Sequence, residues 1–99
     1  MYLLITKGTK LTTILENKTI VLQEDIKVPV ETRTVFEANN DEFGIHTSCY
    51  NLDSLQKEIL ISLAFDYEEY GLAEDEELCG KETIEYKYKM LNLFKEVED

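Results

Sequence analysis

His46 is the only histidine in the chain, so any mechanism that needs an imidazole to move a proton near neutral pH must use it. It forms a His-x-x-Cys pair with Cys49, while the other cysteine, Cys79, lies far along the sequence. Structural zinc sites present two closely spaced ligand pairs, and a site here would also need a carboxylate as fourth ligand. No metal site is expected. A Cys–His nucleophile is no better supported, because on one strand positions 46 and 49 would face opposite sides of the sheet. Both cysteines are expected as small buried apolar side chains. No glycine-rich phosphate loop is present, and no spacing selects one carboxylate pair for glycoside chemistry. An enzyme is the least favoured class, and no cofactor is expected.

The remaining chemistry lies in the carboxylates. Residues 66–78 hold Asp66, Glu68, Glu69, Glu74, Asp75, Glu76 and Glu77 and no Lys or Arg, whereas the rest of the chain sets 14 acidic residues against 10 basic ones. The run therefore supplies −7 of the net charge of −11. Glu68 and Glu69 fall in the last turn of an expected helix, where the macrodipole is already negative and carboxylates destabilise. A purely structural surface would gain by placing lysines there. Tyr67, Tyr70 and Leu72 are interleaved with the acids, and aromatic anchors inside a polar patch typify protein interfaces. The candidate partner-binding residues are thus Asp66, Tyr67, Glu68, Glu69, Tyr70, Glu74, Asp75, Glu76 and Glu77. The same run partly fits EF-hand spacing, with Asp66 at position one, Gly71 at six and Glu77 at twelve. Positions three and five are Glu68 and Tyr70, where short oxygen ligands belong, and Gly80 interrupts the exiting helix. Calcium binding therefore ranks below a protein interface. The plainest reading is a solvated face that keeps the protein in solution.

Charge sign sets the partner. A chain with a pI near 4.4 lacks the lysines and arginines that displace counterions from phosphates, so direct binding to nucleic acid or to an anionic membrane is disfavoured. A basic protein surface would instead attract it and speed the encounter. If that surface normally holds nucleic acid, carboxylates spaced about as phosphates are spaced could fill it and exclude DNA or RNA. By charge and size alone the chain stands with small acidic proteins that block basic targets, such as phage inhibitors of restriction or CRISPR nucleases. A non-enzymatic inhibitor of this kind is the expected function. The alternative is an antitoxin or immunity protein that plugs an active site with buried tyrosines.

These residues must be carried by one core. The chain has 99 residues, 43% hydrophobic and 31% charged, enough for a single folded domain and too few for two. The opening Met1-Tyr2-Leu3-Leu4-Ile5 reads as a strand and lacks the features of a signal peptide. No apolar run reaches the ~18 residues of a membrane span, and two cysteines are too few for a secreted disulfide framework. A cytoplasmic protein is expected. Character changes near Asn51. Before it, β-branched runs at residues 3–6, 11–15, 19–22, 32–36 and 43–47 are candidate strands, separated by short turn clusters that favour an antiparallel meander. Pro29 cannot donate to a ladder and marks residues 26–28 as an edge strand, a strand end or an extended connection. After Asn51, Leu52, Leu55, Ile59, Leu63 and Tyr67 recur at helical spacing. This predicts a helix over about 53–70, capped by Asp53 and stopped by Gly71. Leu60, Ile61, Ala64 and Phe65 widen its apolar surface, so it should be largely buried. Residues 84–90 alternate like a strand, but the rows Ile84, Tyr88, Leu91 and Tyr86, Met90, Leu93, Val97 favour a second helix. The expected architecture is α+β, an antiparallel sheet or small open barrel of about four or five strands covered by two helices.

Overall fold

Period-two burial organises the first half: Ile20 and Leu22, and then Ile26, Val28 and Val30, point into the core while Lys27 and Pro29 between them stay exposed. The computed structural model describes residues 1–98 and has the expected α+β architecture. Its larger antiparallel sheet has the order β1 (Tyr2–Ile5), β4 (Ile26–Thr32), β5 (Phe36–Asn40), β6 (Ile45–Cys49), and its smaller one β2 (Lys10–Thr12), β3 (Thr19–Leu22), β7 (Phe94–Val97). Both sheets are open and neither closes into a barrel. The single meander is corrected to two sheets. The chain leaves the larger sheet after Ile5, bends at Gly8 with φ 92°, makes the β2–β3 hairpin, and returns through residues 23–25 so that β4 lies against β1. The crossing is fixed by hydrogen bonds from Gly8 N to Leu22 O at 2.8 Å and from Leu22 N to Thr9 O at 2.9 Å.

Pro29 sits inside the sheet, since β4 has neighbours on both sides. The two ladders are staggered: β1 pairs with residues 26–29 and β5 with residues 30–32. Val30 N donates to Met1 O, so by alternation the proline nitrogen faces the β5 side, where its missing proton ends the ladder. Asn40 Nδ2 then reaches Lys27 O at 3.4 Å across the gap. The run 32–36, expected as a strand, forms the hairpin tip instead, because Val30 opposite Ala38 keeps both on the core face and places the turn at residues 33–35.

The helix predicted from spacing is α1 (Leu52–Asp66), and it packs on β6 and β5. Leu55, Ile59, Leu63 and, just beyond, Tyr67 are buried as their row requires. Its cap is Asn51, whose side chain accepts from Ser54 N at 2.8 Å, and Asp53 lies in the first turn, where its charge favours the macrodipole. The helix continues as a π-turn over Tyr67–Gly71. Gly71 supplies no left-handed stop, since its φ is not positive, and an added Cβ there would meet the Tyr67 ring at 3.4 Å and Leu91 at 3.6 Å, both ordinary contacts. Ile61 and Phe65 are exposed, so α1 buries one broad face and leaves an apolar strip outside.

The second helix, α2 (Lys81–Leu93), packs against the π-turn. Of its two rows, the one through Met90 and Leu93 is the buried one. The helix stops at Leu93, short of Val97, because Phe94 turns into the core edge-on to Tyr67, ring centroids 5.8 Å apart. The last residues pair with β3 as β7. Cys49 is half-buried and Cys79 exposed, both free, so Cys79 departs from the buried position expected of it. Among the described residues no helix is long and apolar enough to cross a membrane.

Candidate functional site

The acidic run spans the end of α1, the π-turn, a short 3-10 turn at Asp75–Glu77 and the approach to α2. Folding divides its residues into two groups. In the first, each side chain is committed to an internal partner. Asp66 accepts from the Tyr86 hydroxyl at 2.7 Å. Burial pushes its carboxyl pKa up, the Tyr86 bond works against this, and the nearby Glu69 charge adds to the rise. Tyr67 is only 3% exposed and donates to Glu96 Oε1 at 3.3 Å. It is a core ring, out of reach of a partner.

Glu68 closes the β2–β3 loop. Its carboxylate accepts from Leu15 N at 2.9 Å and from Glu16 N at 2.6 Å. Desolvation raises its pKa, but these N–H donors, with the Thr13 hydroxyl and Ile14 N–H, outweigh that and hold it below the usual range. The buried Thr13 hydroxyl also accepts from Lys18 N at 2.8 Å. Asp75 accepts from Lys87 Nζ at 2.7 Å and from the Tyr88 hydroxyl at 3.0 Å. Those hydrogen bonds lower its pKa, and the same contact raises that of Lys87. Tyr70 is half-buried with its ring edge-on to Tyr86 at 5.4 Å.

The second group is Glu69, Glu74, Glu76 and Glu77. All four are exposed, and among the described residues none takes part in an ion pair. Beside them lies a groove of about 360 Å³ lined by Leu15, Glu16, Phe65, Glu68, Glu69, Leu72, Ala73 and Glu77. Its walls come from the β2–β3 loop on one side and, on the other, from the end of α1, the π-turn and the segment through Glu77, with the Glu68 clamp joining loop to π-turn. Sequence reasoning missed Leu15, Glu16, Phe65 and Ala73. Phe65 stands off the buried row of α1, but an off-row apolar residue can equally widen a buried face, so it gave no signal of the groove.

Residues 67–71 keep a helical backbone where an EF-hand loop would leave the helix, and Asp66 faces Tyr86. Among the described residues no group of three His, Cys, Asp or Glu side chains is placed to hold a metal. His46 is exposed on β6, with Nδ1 3.1 Å from Asn39 Oδ1 and Nε2 3.2 Å from Asp41. The exposure pattern along β6 puts His46 and Cys49 on opposite faces.

The two phenols set a pH dependence. Burial, then the Glu96 charge, pushes Tyr67 from 10.0 up to about 12. Burial and the Asp66 bond push Tyr86 up still more strongly. An unfolded tyrosine releases its proton near pH ~10 while the native rings keep theirs, so the folded state binds more protons there. Their stabilisation is fully present below pH ~10 and is lost as pH rises toward and past 12. Denaturant midpoints measured at intervals from pH 8 to 12 are expected to fall above ~10. The fall should be shallower in Tyr86→Phe, and a flat profile to pH 12 would contradict these two environments.

No family model, no curated protein and no solved structure matches the chain.

Proposed function

We propose that the protein is a non-enzymatic binding protein that places Glu69, Glu74, Glu76 and Glu77 on the cationic, nucleic-acid-binding surface of a partner protein and so blocks it. One observation carries this reading. Within a single stretch the fold satisfies Asp66, Glu68 and Asp75 with internal donors, yet leaves four neighbouring carboxylates exposed and, among the described residues, outside any ion pair, only Glu74 feeling the charge of Lys87. Like charges gathered this way repel one another, and a cationic surface relieves that repulsion. The sign of the charge selects a basic protein over nucleic acid.

The reading is tested by immobilising the protein, capturing partners from host extract, and challenging the complexes with salt and with duplex DNA. From about 0.1 to 1 M NaCl the screening length falls from ~10 to ~3 Å, so the partner is expected to elute within that range. Excess DNA at low salt is expected to displace it as well, since both ligands need the same surface. Partners held through 1 M salt and unmoved by DNA would reject the proposal.

A further inference from the structure

The groove beside the free carboxylates combines two chemistries. Leu15, Phe65, Leu72 and Ala73 supply its apolar lining, Glu16, Glu69 and Glu77 its uncommitted charges, and no Lys, Arg or His lines it. Leu15 is 84% and Phe65 47% exposed. Ile61, 50% exposed, precedes Phe65 by one turn on the same helical row and lengthens the apolar strip by about 6 Å. Large apolar side chains left in water forgo the stabilisation that burial would bring, and neither a solubilising face nor a bare polyanion mimic has a use for them. The loop wall is held ready by the Glu68 bonds to Leu15 and Glu16 and by Thr13, so an occupant would order little on arrival.

We infer that this groove seats a short amphipathic cationic segment of the partner, one large apolar side chain entering between Leu15 and Phe65 while flanking lysines or arginines meet Glu16, Glu69 and Glu77. The inference rests on the reading of a basic partner and adds to it the apolar anchor by which that partner is recognised. Charge complementarity chooses the occupant. A second copy would bring carboxylates against carboxylates, and an acidic peptide or a nucleic acid would be repelled in the same way. An aliphatic pair at i and i+4 on a helical segment would match the spacing of Ile61 and Phe65.

Two synthetic helical peptides of equal length and net positive charge separate the inference from the reading beneath it. One carries leucines at i and i+4 among lysines; in the other those leucines are serines. Calorimetric or fluorescence titration at low salt is expected to show the leucine peptide binding about tenfold or more tighter. Phe65→Ser and Leu15→Ser should each bring it down to the level of the serine peptide without changing the latter. Leu15 is so exposed that its replacement leaves the fold intact even if Phe65→Ser does not. Equal binding of the two peptides, or indifference of the leucine peptide to Leu15→Ser, would overturn the groove while leaving the acidic surface standing. Failure of both peptides to bind at low salt would remove both.

Discussion

Leu63→Ala is expected to remove about 2–5 kcal/mol of folding free energy, the range for truncating a buried leucine whose surroundings relax only in part. Leu63 is fully buried on the row of α1 that faces β6 and β5, in the same cluster as Ala38, Ile45, Leu55 and Ile59. Removing its isobutyl group opens a cavity at the joint between the long helix and the larger sheet, where rigid backbone on both sides limits collapse. Each kcal/mol shifts the thermal midpoint of a domain this size by about 4–8 °C, so the loss is easily read by circular dichroism. Ile61→Ala, two positions away and half exposed, should stay within ~0.5 kcal/mol of the parent. Equal losses in the two variants would mean that α1 is not oriented as described.

The contrast between these two leucine-like positions also shows what the sequence could reveal. A helix that lies on a sheet buries one face, and the spacing of Leu55, Ile59, Leu63 and Tyr67 states that face directly. The exposed strip of Ile61 and Phe65 does not announce itself, because an apolar residue off the main row can equally belong to a wider buried face. Most strands were legible as β-branched runs, and strand neighbours were not. The apolar run of β1 marks a strand, but its partner β4 is chosen by the crossing through the β2–β3 hairpin, a non-local event. Capping was legible only to within two residues, since the sequence pointed to Asp53 and the side chain that accepts from the first turn is that of Asn51. Asn51 and Asp53 can both close a first turn; with Asn51 as cap, Asp53 also gains from the helix dipole.

At the candidate site the run of charge was visible and its division was not. The donors that tie down Asp66, Glu68 and Asp75 arrive from Tyr86, from Leu15 and Glu16, and from Lys87 and Tyr88, all remote in sequence and brought near by the topology. A linear reading therefore treats nine residues as one surface, whereas folding spends several of them on holding the chain together. What remains is smaller and better defined: four carboxylates and an adjoining groove whose far wall is a loop that no spacing rule associates with α1.

The same division predicts that binding and stability respond in opposite directions to loss of charge. Changing Glu69, Glu74, Glu76 and Glu77 together to Gln reduces the net negative charge from −11 to about −7 while removing none of the side-chain hydrogen bonds described above, and it relieves repulsion among neighbouring carboxylates. The thermal midpoint is expected to stay or to rise by a few degrees. Affinity for a cationic partner is expected to fall about tenfold to several hundredfold, since four exposed charge contacts are each weak but act in concert. The salt dependence of what binding remains should flatten. Glu68→Gln is the converse case: it weakens the clamp on Leu15 and Glu16, so it should lower the midpoint and loosen the groove wall while leaving the four free charges in place. A face evolved only to stay in solution would show the first change in stability without any loss of binding. An interface loses affinity as it gains stability, and measuring both quantities on the two variants decides between them.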